Sequence, residues 1–439
     1  MGLGLGLCVG LSVGSLSAQA ADEPAPPQTW NAHGQATYVW QDQSAMAARY
    51  SGPHSLSAQH ADSYSFTATL ALGWRPWRGG EVYLNPEAAQ GRPLSELSGL
   101  GGLSNGEMGR SSGPRLKPYR ARLFWRQTWG EAGDTEAVGS AANQLAGTRS
   151  SERWVLTVGN LSVLDIFDGN AYSHDPRTQF LNWSLMTHGA YDYAGDARGY
   201  TTGVALERYL GDWALRAGRF MLPEQPNGQA LDIGLLHHMG DQIELEHAHT
   251  WQGQPGRLRA QAFRNRAVMS RFTDALSLAE REARTPDIDA VRTRTHSKFG
   301  WGLSLEQAIG PDVGVFARHS WADGQTENVA FTEIDRSLSG GVLLQGRRWQ
   351  RPGDTWGIAL ARNGLSSAHQ RYLAAGGLGF FLGDGALRYA PEQIVETFYS
   401  LALCKGAWLS ADWQHIRHPA YNADRGPVRI TSLRLHTEL

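Results

Sequence analysis

Asp168, Asn170, His174, Asp175, Arg177, Asn182 and Trp183 crowd into one stretch, Ile166 to Trp183, after a short apolar–polar alternation at Trp154 to Val158. Carboxylates, amides and a guanidinium fork hydrogen-bond hydroxyl groups, and a flat indole stacks on the C–H face of a sugar ring. This set suits a neutral polyhydroxylated molecule. Asp196 and Arg198 close the same long segment, and Glu81, Glu87, Glu107 and Arg110 are expected to face it from the preceding connection. A metal reading fits less well. Asp165, Asp168, Asn170 and Asp175 do not follow the EF-hand spacing, and no glutamate closes the loop. His237-His238 and His247-x-His249 lack a third ligand at useful spacing. No metal and no cofactor is expected.

The elements that position these residues read as strands. Tyr64, Phe66, Ala68, Leu70, Leu72 and Trp74 alternate with polar or small neighbours; so do Phe299, Trp301, Leu303 and Leu305, and Leu433 and Leu435 around Arg434. Strands are predicted near 33–41, 63–75, 80–85, 116–129, 152–160, 199–209, 212–220, 240–251, 256–268, 294–308, 312–321, 335–348, 354–363, 392–404, 406–416 and 427–439. Many connections alternate between short (Leu210-Gly211, Gly310-Pro311) and long (86–115, 161–198, 364–391). The segment 130–151 is an exception, long on the short side, and 269–285 could form a surface helix. The fold class is therefore all-β: a transmembrane antiparallel β-barrel of about sixteen strands, with short periplasmic turns, long extracellular loops and one loop folded inward. Tyr38, Trp40, Trp74, Trp77, Trp125, Trp129, Trp251, Trp349 and Trp413 sit near strand ends, as interfacial girdles require.

Composition agrees. The 439 residues hold 40 Lys+Arg against 42 Asp+Glu, a net charge of −2. That leaves no footprint for nucleic acid. After residue 20 no apolar run is long enough for a membrane helix. A mean hydropathy of −0.38 still admits a barrel, which averages lipid-facing and lumen-facing residues. Residues 1–20 read as a secretory signal: an apolar core from Leu3 to Leu16, then Ala18-Gln19-Ala20 as the cleavage site, with no Lys or Arg before the core. Residues 21–32 would be a short extension and 33–439 a single outer-membrane barrel. Cleavage leaves Cys404 alone, so no intrachain disulfide forms, and Cys404 is expected to be a small apolar wall residue.

Strand parity assigns a wall. Arg120, Arg122 and Arg126 share one face, opposite Leu123 and Trp125, and should line the lumen together. Glu244, Glu246, Arg257, Arg259, Glu306, Arg318 and Arg434 are likewise expected inward, where facing acidic and basic ladders would set a transverse field or simply solvate the lumen.

Several segments resemble the carbohydrate-selective porins of OprB type. They are His33-Gly34-Gln35-Ala36-Thr37-Tyr38-Val39-Trp40-Gln41, Gly79-Gly80-Glu81-Val82-Tyr83-Leu84-Asn85-Pro86-Glu87, Asn105-Gly106-Glu107, Asn143-Gln144-Leu145-Ala146-Gly147, the loop beginning at Ile166, Asp196-Ala197-Arg198-Gly199-Tyr200, Gly383-Asp384-Gly385 and Pro419-Ala420-Tyr421-Asn422. Their order along nearly the whole chain is the specific signal. The resemblance implies passive diffusion of sugars such as glucose through the outer membrane of a Gram-negative bacterium, past a constriction loop. It implies mono- or oligosaccharides as solutes. It also implies contact with outer-membrane lipid, lipopolysaccharide and the barrel-assembly machinery. Two positions depart from the pattern: Asn160 stands where the family often has lysine, and Leu439 where such barrels usually end in an aromatic. Three alternatives compete: a barrel enzyme of esterase or protease type, a secreted glycoside hydrolase, and a structural or adhesive barrel with no transport role. Neither a Gly-x-Ser-x-Gly element nor a distinct carboxylate pair singles itself out.

Overall fold

The computed structural model describes residues 27–100, 103–110 and 113–439. The expected signal at 1–20 lies outside them, as does the first half of the extension at 21–32. The end of that extension, from Trp30, already belongs to the first strand.

Among the described residues sixteen strands run β1 Trp30–Gln43, β2 Ala61–Trp77, β3 Gly80–Arg92, β4 Lys117–Val138, β5 Gly147–Leu161, β6 Thr201–Leu210, β7 Trp213–Phe220 and β8 Met239–Trp251. They continue as β9 Gln254–Val268, β10 Thr295–Gly310, β11 Val313–Ala322, β12 Arg336–Gln345, β13 Thr355–Gly364, β14 Glu392–Cys404, β15 Ala407–Arg417 and β16 Val428–Glu438. Each pairs antiparallel with the next. β1 pairs with β16, Tyr38 opposite Leu435, so the barrel closes without an open edge. Among the described residues three α-helices sit in the loops: α1 Trp183–Met186, α2 Phe272–Glu282 inside the segment expected to be helical, and α3 Ser367–Ala374. Cys404 is a free, exposed thiol at the end of β14.

The alternation sorts side chains opposite to a soluble fold. On β16 Leu433 and Leu435 are 45% and 44% exposed, while Arg434 and His436 are 0% and 2% exposed. Apolar side chains face lipid and polar ones face the lumen. Tryptophans gather at the short-turn end, where Trp30 pairs across strands with Trp74 and Trp129 with Trp154. Trp40 and Trp125 are only half-buried members of the outer face.

Two segments differ from the sequence reading. The third strand was expected to stop at residue 85, but it runs on to Arg92 through Pro86. Proline has no N–H for the ladder, so the register slips there: Asn85 faces Arg122, yet Pro86 faces Arg120. Ala121 becomes the extra residue. The slip reverses parity, so Tyr119 turns inward beside Glu87 while Arg120 faces outward opposite exposed Pro86. Arg120 therefore does not line the lumen with Arg122 and Arg126.

The second difference lies in 130–151. Most of it is not a loop, because β4 and β5 extend past the barrel as an irregular ribbon closed by the pair Val138 and Gly147. Its tip, residues 139–146, folds back into the barrel mouth. Asn31 Nδ2 donates to Ser140 Oγ (3.0 Å), the Ala141 carbonyl (3.2 Å) and the Gln144 carbonyl (2.8 Å). The Leu145 amide donates to the Tyr83 hydroxyl (3.2 Å), and the Leu145 side chain is buried.

Candidate solute pathway

A sixteen-strand barrel is wide enough for a water-filled lumen. Here the lumen is narrowed by residues 162–200, the loop between β5 and β6. Wall side chains hold that loop by its backbone. Arg318 donates to Asp168 Oδ1 (3.1 Å), the Leu185 carbonyl (2.8 Å) and the Ser173 carbonyl (2.7 Å). Arg434 donates to the carbonyls of Pro176 (2.6 Å) and Gln179 (2.7 Å). Carboxylates take the amides: Glu244 accepts from Asp168 N (2.7 Å), Glu306 from Ala171 N (2.7 Å), and Glu396 from Leu181 N (2.5 Å) and Asn182 N (3.0 Å). Glycines on the wall make room for the loop. A Cβ at Gly314 would lie 2.0 Å from the Tyr172 ring, and one at Gly302 would lie 2.8 Å from the His188 ring.

This bracing absorbs several residues nominated for solute contact. Asp168 is fully buried beneath Arg318. Asn170 Oδ1 accepts from Tyr172 N (2.9 Å) and Ser173 N (3.1 Å), a turn inside the loop. Asn182 caps α1 by accepting from Ser184 N (2.9 Å). Trp183 is 5% exposed and packs on Phe331, ring centroids 4.2 Å apart, so it presents no face to a passing sugar. His174 and Asp175 shape the turn before Arg177: His174 N donates to Gln179 Oε1 (2.7 Å), and Asp175 Oδ1 accepts from Arg177 N (2.9 Å). Asp196 does the same at the loop's end, accepting from Arg198 N (2.9 Å) and Tyr200 N (3.0 Å).

The wall charges also pair sideways. Arg216 reaches Glu244 (2.7 Å), Glu207 (3.3 Å) and Glu246 (3.3 Å). Arg259 joins Glu246 (2.6 Å) to Glu306 (3.1 Å), and Arg257 reaches Glu306 (3.1 Å). Acids and bases interleave on β6–β10 and neutralise one another, so the expected facing ladders are replaced by one self-paired network. Arg216 and Glu207 were not nominated; nothing in their local sequence marks them apart from their parity.

The loop is also sensitive to acid. Burial raises the cost of charging Asp168, but the Arg318 guanidinium and His188 beside it hold its pKa below the usual carboxylate range. Burial pushes His188 down to about 4 against the pull of Asp168. A released loop would protonate His188 near the ordinary value of 6.5, so the clamp weakens as pH falls from 6.5 to about 4. Asp168 adds its loss below its own unfolded value, in the same direction. Single-channel recordings should show open-state noise rising across that interval, and His188→Gln should move the onset to lower pH.

Other nominees meet in a lane along β2–β4. Arg177 donates to Glu107 (3.1 Å), Glu87 (3.3 Å) and the Thr69 hydroxyl (3.5 Å). Glu87 also accepts from the hydroxyls of Tyr119 and Tyr200. The Arg198 guanidinium stacks 4.2 Å above the Tyr119 ring, and Arg122 lies 5.2 Å from the Tyr200 centroid. Arg122 then forks onto Asp165 with two bonds of 2.6 Å. Arg110 ends a short turn, Met108–Arg110, and its side chain lies outside the described residues. Tyr119 was missed because the Pro86 slip turns it inward, and Tyr200 because nothing in the segment Asp196–Tyr200 or the strand near 199–209 shows that its ring meets Tyr119.

Asp165 opens onto a chamber of ≈ 910 Å³ lined also by Arg75, Glu81, Arg126, Asn143 and Arg153. Glu81 belongs here rather than facing the constriction, paired with Arg75 (2.7 Å). Arg126 donates to the Asn143 carbonyl (3.1 Å), so the folded-back tip closes the chamber from below. Asn160 lies on the outer face, paired with exposed Leu123, and cannot set the pore's charge. Among the described residues no cluster of three His, Cys, Asp or Glu could hold a metal.

A closed barrel that is apolar outside, polar inside and narrowed by an inward loop defines an outer-membrane porin. The sequence profile of the carbohydrate-selective porin, OprB family, matches residues 55–439. The chain belongs to that family and is a sugar porin of the Gram-negative outer membrane. Among solved structures it is similar to Pseudomonas putida OprB at high pH, with TM-score 0.69 and 13% identity over 94% of each chain. The outer-membrane channel DcaP of Acinetobacter baumannii superposes with TM-score 0.51 and 7% identity, covering 93% of this chain and 97% of that one. No curated protein matches by sequence.

Proposed function

We propose that neutral mono- or oligosaccharides cross along the lane from Glu107 and Arg177, past Glu87, Tyr119 and Tyr200, to Arg122 and Asp165. The observation that carries this reading is Arg177 bridging Glu87 and Glu107 beside a tyrosine pair. Balanced charges offer donors and acceptors in turn without favouring one ion, and the rings give sugar faces a place to slide. Binding at each step must stay weak for the solute to leave. The barrel-enzyme and hydrolase alternatives lose support because Glu87, Glu107, Asp168, Glu244 and Glu306 are all engaged by arginines or amides. We further propose export by residues 1–20, insertion by the barrel-assembly machinery, and lipopolysaccharide as the surrounding lipid. The tryptophan-rimmed apolar outer wall supports the last two.

Planar-bilayer conductance titrated with sugars tests the lane. A charge-assisted hydrogen bond contributes about 1.5–3 kcal/mol. Arg177→Ala should therefore weaken sugar block on the order of tenfold or more, while ion conductance holds or rises. Unchanged block would remove Arg177 from the path. Trp183→Ala should instead act through packing, disturbing the loop without a selective effect on sugar.

A further inference from the structure

The outer wall carries charge near its ends. At the short-turn end Arg208 pairs with Glu131 (2.8 Å), Arg347 with Asp312 (2.6 Å) and Arg351 with Asp354 (2.5 Å), while the turn residues Arg78, Arg348 and Lys405 make no ion pair among the described residues. At the long-loop end of β12–β16 the cations on the strands themselves lack acid partners. Arg362, Arg417 and Arg429 are exposed, outward, and make no ion pair among the described residues. Arg336, one strand over, donates only to the carbonyls of Ala322 and Asp335 and lies over the Trp321 ring at 4.9 Å. The nearby acids are occupied: Asp424 by Arg388 (2.8 Å) and Asp42 by His60 (2.6 Å).

The register makes these arginines one array. Gln393 of β14 lies opposite Arg362 of β13 on one side and Arg417 of β15 on the other, while Arg429 of β16 lies opposite His415 of β15. Strands are about 4.8 Å apart, so the array from β12 to β16 spans about 19 Å. Directly towards the membrane middle the same faces turn apolar, with Leu338 57%, Leu360 58% and Leu433 45% exposed.

An arginine on a lipid-facing strand position costs about 2–4 kcal/mol at the midplane and nearly nothing at the interface. The array is therefore at headgroup depth, in the leaflet the long loops face. Guanidinium forks at that depth match phosphate bidentately. We propose that the loop-end outer face of β12–β16 is a binding site for lipopolysaccharide, recognised through its phosphates. A width of several strands suits a headgroup with more than one phosphate on a sugar backbone. Gln393 and His415 supply hydrogen bonds between the cations, and the acyl chains lie on Leu338, Leu360 and Leu433. The site is on the outside of the barrel and does not depend on the sugar pathway.

The test titrates purified lipopolysaccharide into the full-length protein in detergent, scored by native mass spectrometry. The triple variant R362Q/R417Q/R429Q should bind at least tenfold more weakly than the parent. R208Q, at the opposite end, should bind like the parent. Enzymatically dephosphorylated lipopolysaccharide should bind the parent as weakly as intact lipid binds the triple variant. Triple-variant affinity within twofold of the parent overturns the proposal. So does displacement of lipopolysaccharide by an equal concentration of phosphatidylglycerol, which would mark an unselective anionic-lipid surface. Should the glutamine variant not fold, R362K/R417K/R429K decides: weaker binding supports recognition by forks, and equal binding overturns it. Sugar block measured on the same preparations should stay at the parental value, which separates this site from the lane inside.

Discussion

Arg318→Ala should free the middle of the constriction loop, raise ion conductance several-fold and abolish most sugar block. Arg318 is 2% exposed and holds three loop groups at once, Asp168, Leu185 and Ser173. Its loss strands the Asp168 carboxylate in a fully buried site. Breaking a buried pair by removing one partner costs about 3–5 kcal/mol. The barrel itself should survive, because its ladder closes on sixteen strands without using this residue. The loop should not leave entirely either, since Glu306 still holds Ala171, Arg434 holds Pro176 and Gln179, and Glu396 holds Leu181 and Asn182. The expected state is a barrel whose loop is loosened around Asp168, Ser173 and Leu185. Limited chymotrypsin digestion should cut after Tyr172 and Leu185 faster than in the parent, and single-channel traces should become noisy. The double variant Asp168→Asn with Arg318→Met should recover part of the parental behaviour, because the stranded charge is gone. Parental conductance and protease resistance in Arg318→Ala would show that the clamp is redundant.

The sequence carried the barrel further than the site. Parity along Leu433, Arg434, Leu435 and His436 is a local signal, and the closed sheet reproduces it residue by residue. Loop lengths are local too, and they set the orientation of the strands. Parity failed only where the ladder changes register. Pro86 marks that point in the sequence, but a proline can equally end a strand, and only the pairing with β4 shows that the strand continues. From that one slip follow the outward Arg120, the inward Tyr119 and the lane itself. The loop residues failed differently. Asp168, Asn182 and Trp183 have the chemistry to touch sugar, but side-chain type does not reveal which groups the wall will claim. Arg318 and Glu396 lie 150 and 215 residues from their loop partners Asp168 and Leu181, and no local pattern reports such a distance. Arg177 was legible as a guanidinium in the right loop, and its two carboxylate partners were nominated with it; their convergence was not visible.

Replacing residues 139–146 by a two-residue Asn-Gly turn should open the periplasmic mouth and raise conductance on the order of twofold. The design follows the pairing: Val138 faces Gly147, and a two-residue turn of this kind joins directly opposed positions in a hairpin. The tip it removes is an added layer, since the strands on either side are already paired. That layer is bound at several points: Asn31 takes Ser140, Ala141 and Gln144, Arg126 takes Asn143, and Tyr83 takes Leu145. The neutral bonds among them contribute about 0.5–1.5 kcal/mol each, and the Arg126 bond about 1.5–3 kcal/mol. Together they hold the tip across the chamber floor with little time spent open. Asn31→Ala removes three of them and should give an intermediate conductance with more frequent flickering. The lane lies above the chamber, between Arg177 and Asp165. Sugar affinity, read from block, should therefore stay near the parental value in both variants while sugar flux into liposomes rises. Two constrictions in series would then divide the work, the upper one choosing the solute and the lower one limiting its exit. Conductance equal to the parent after excision would mean that the tip does not obstruct the path, and the resistance of the channel would rest with the Arg177 lane alone.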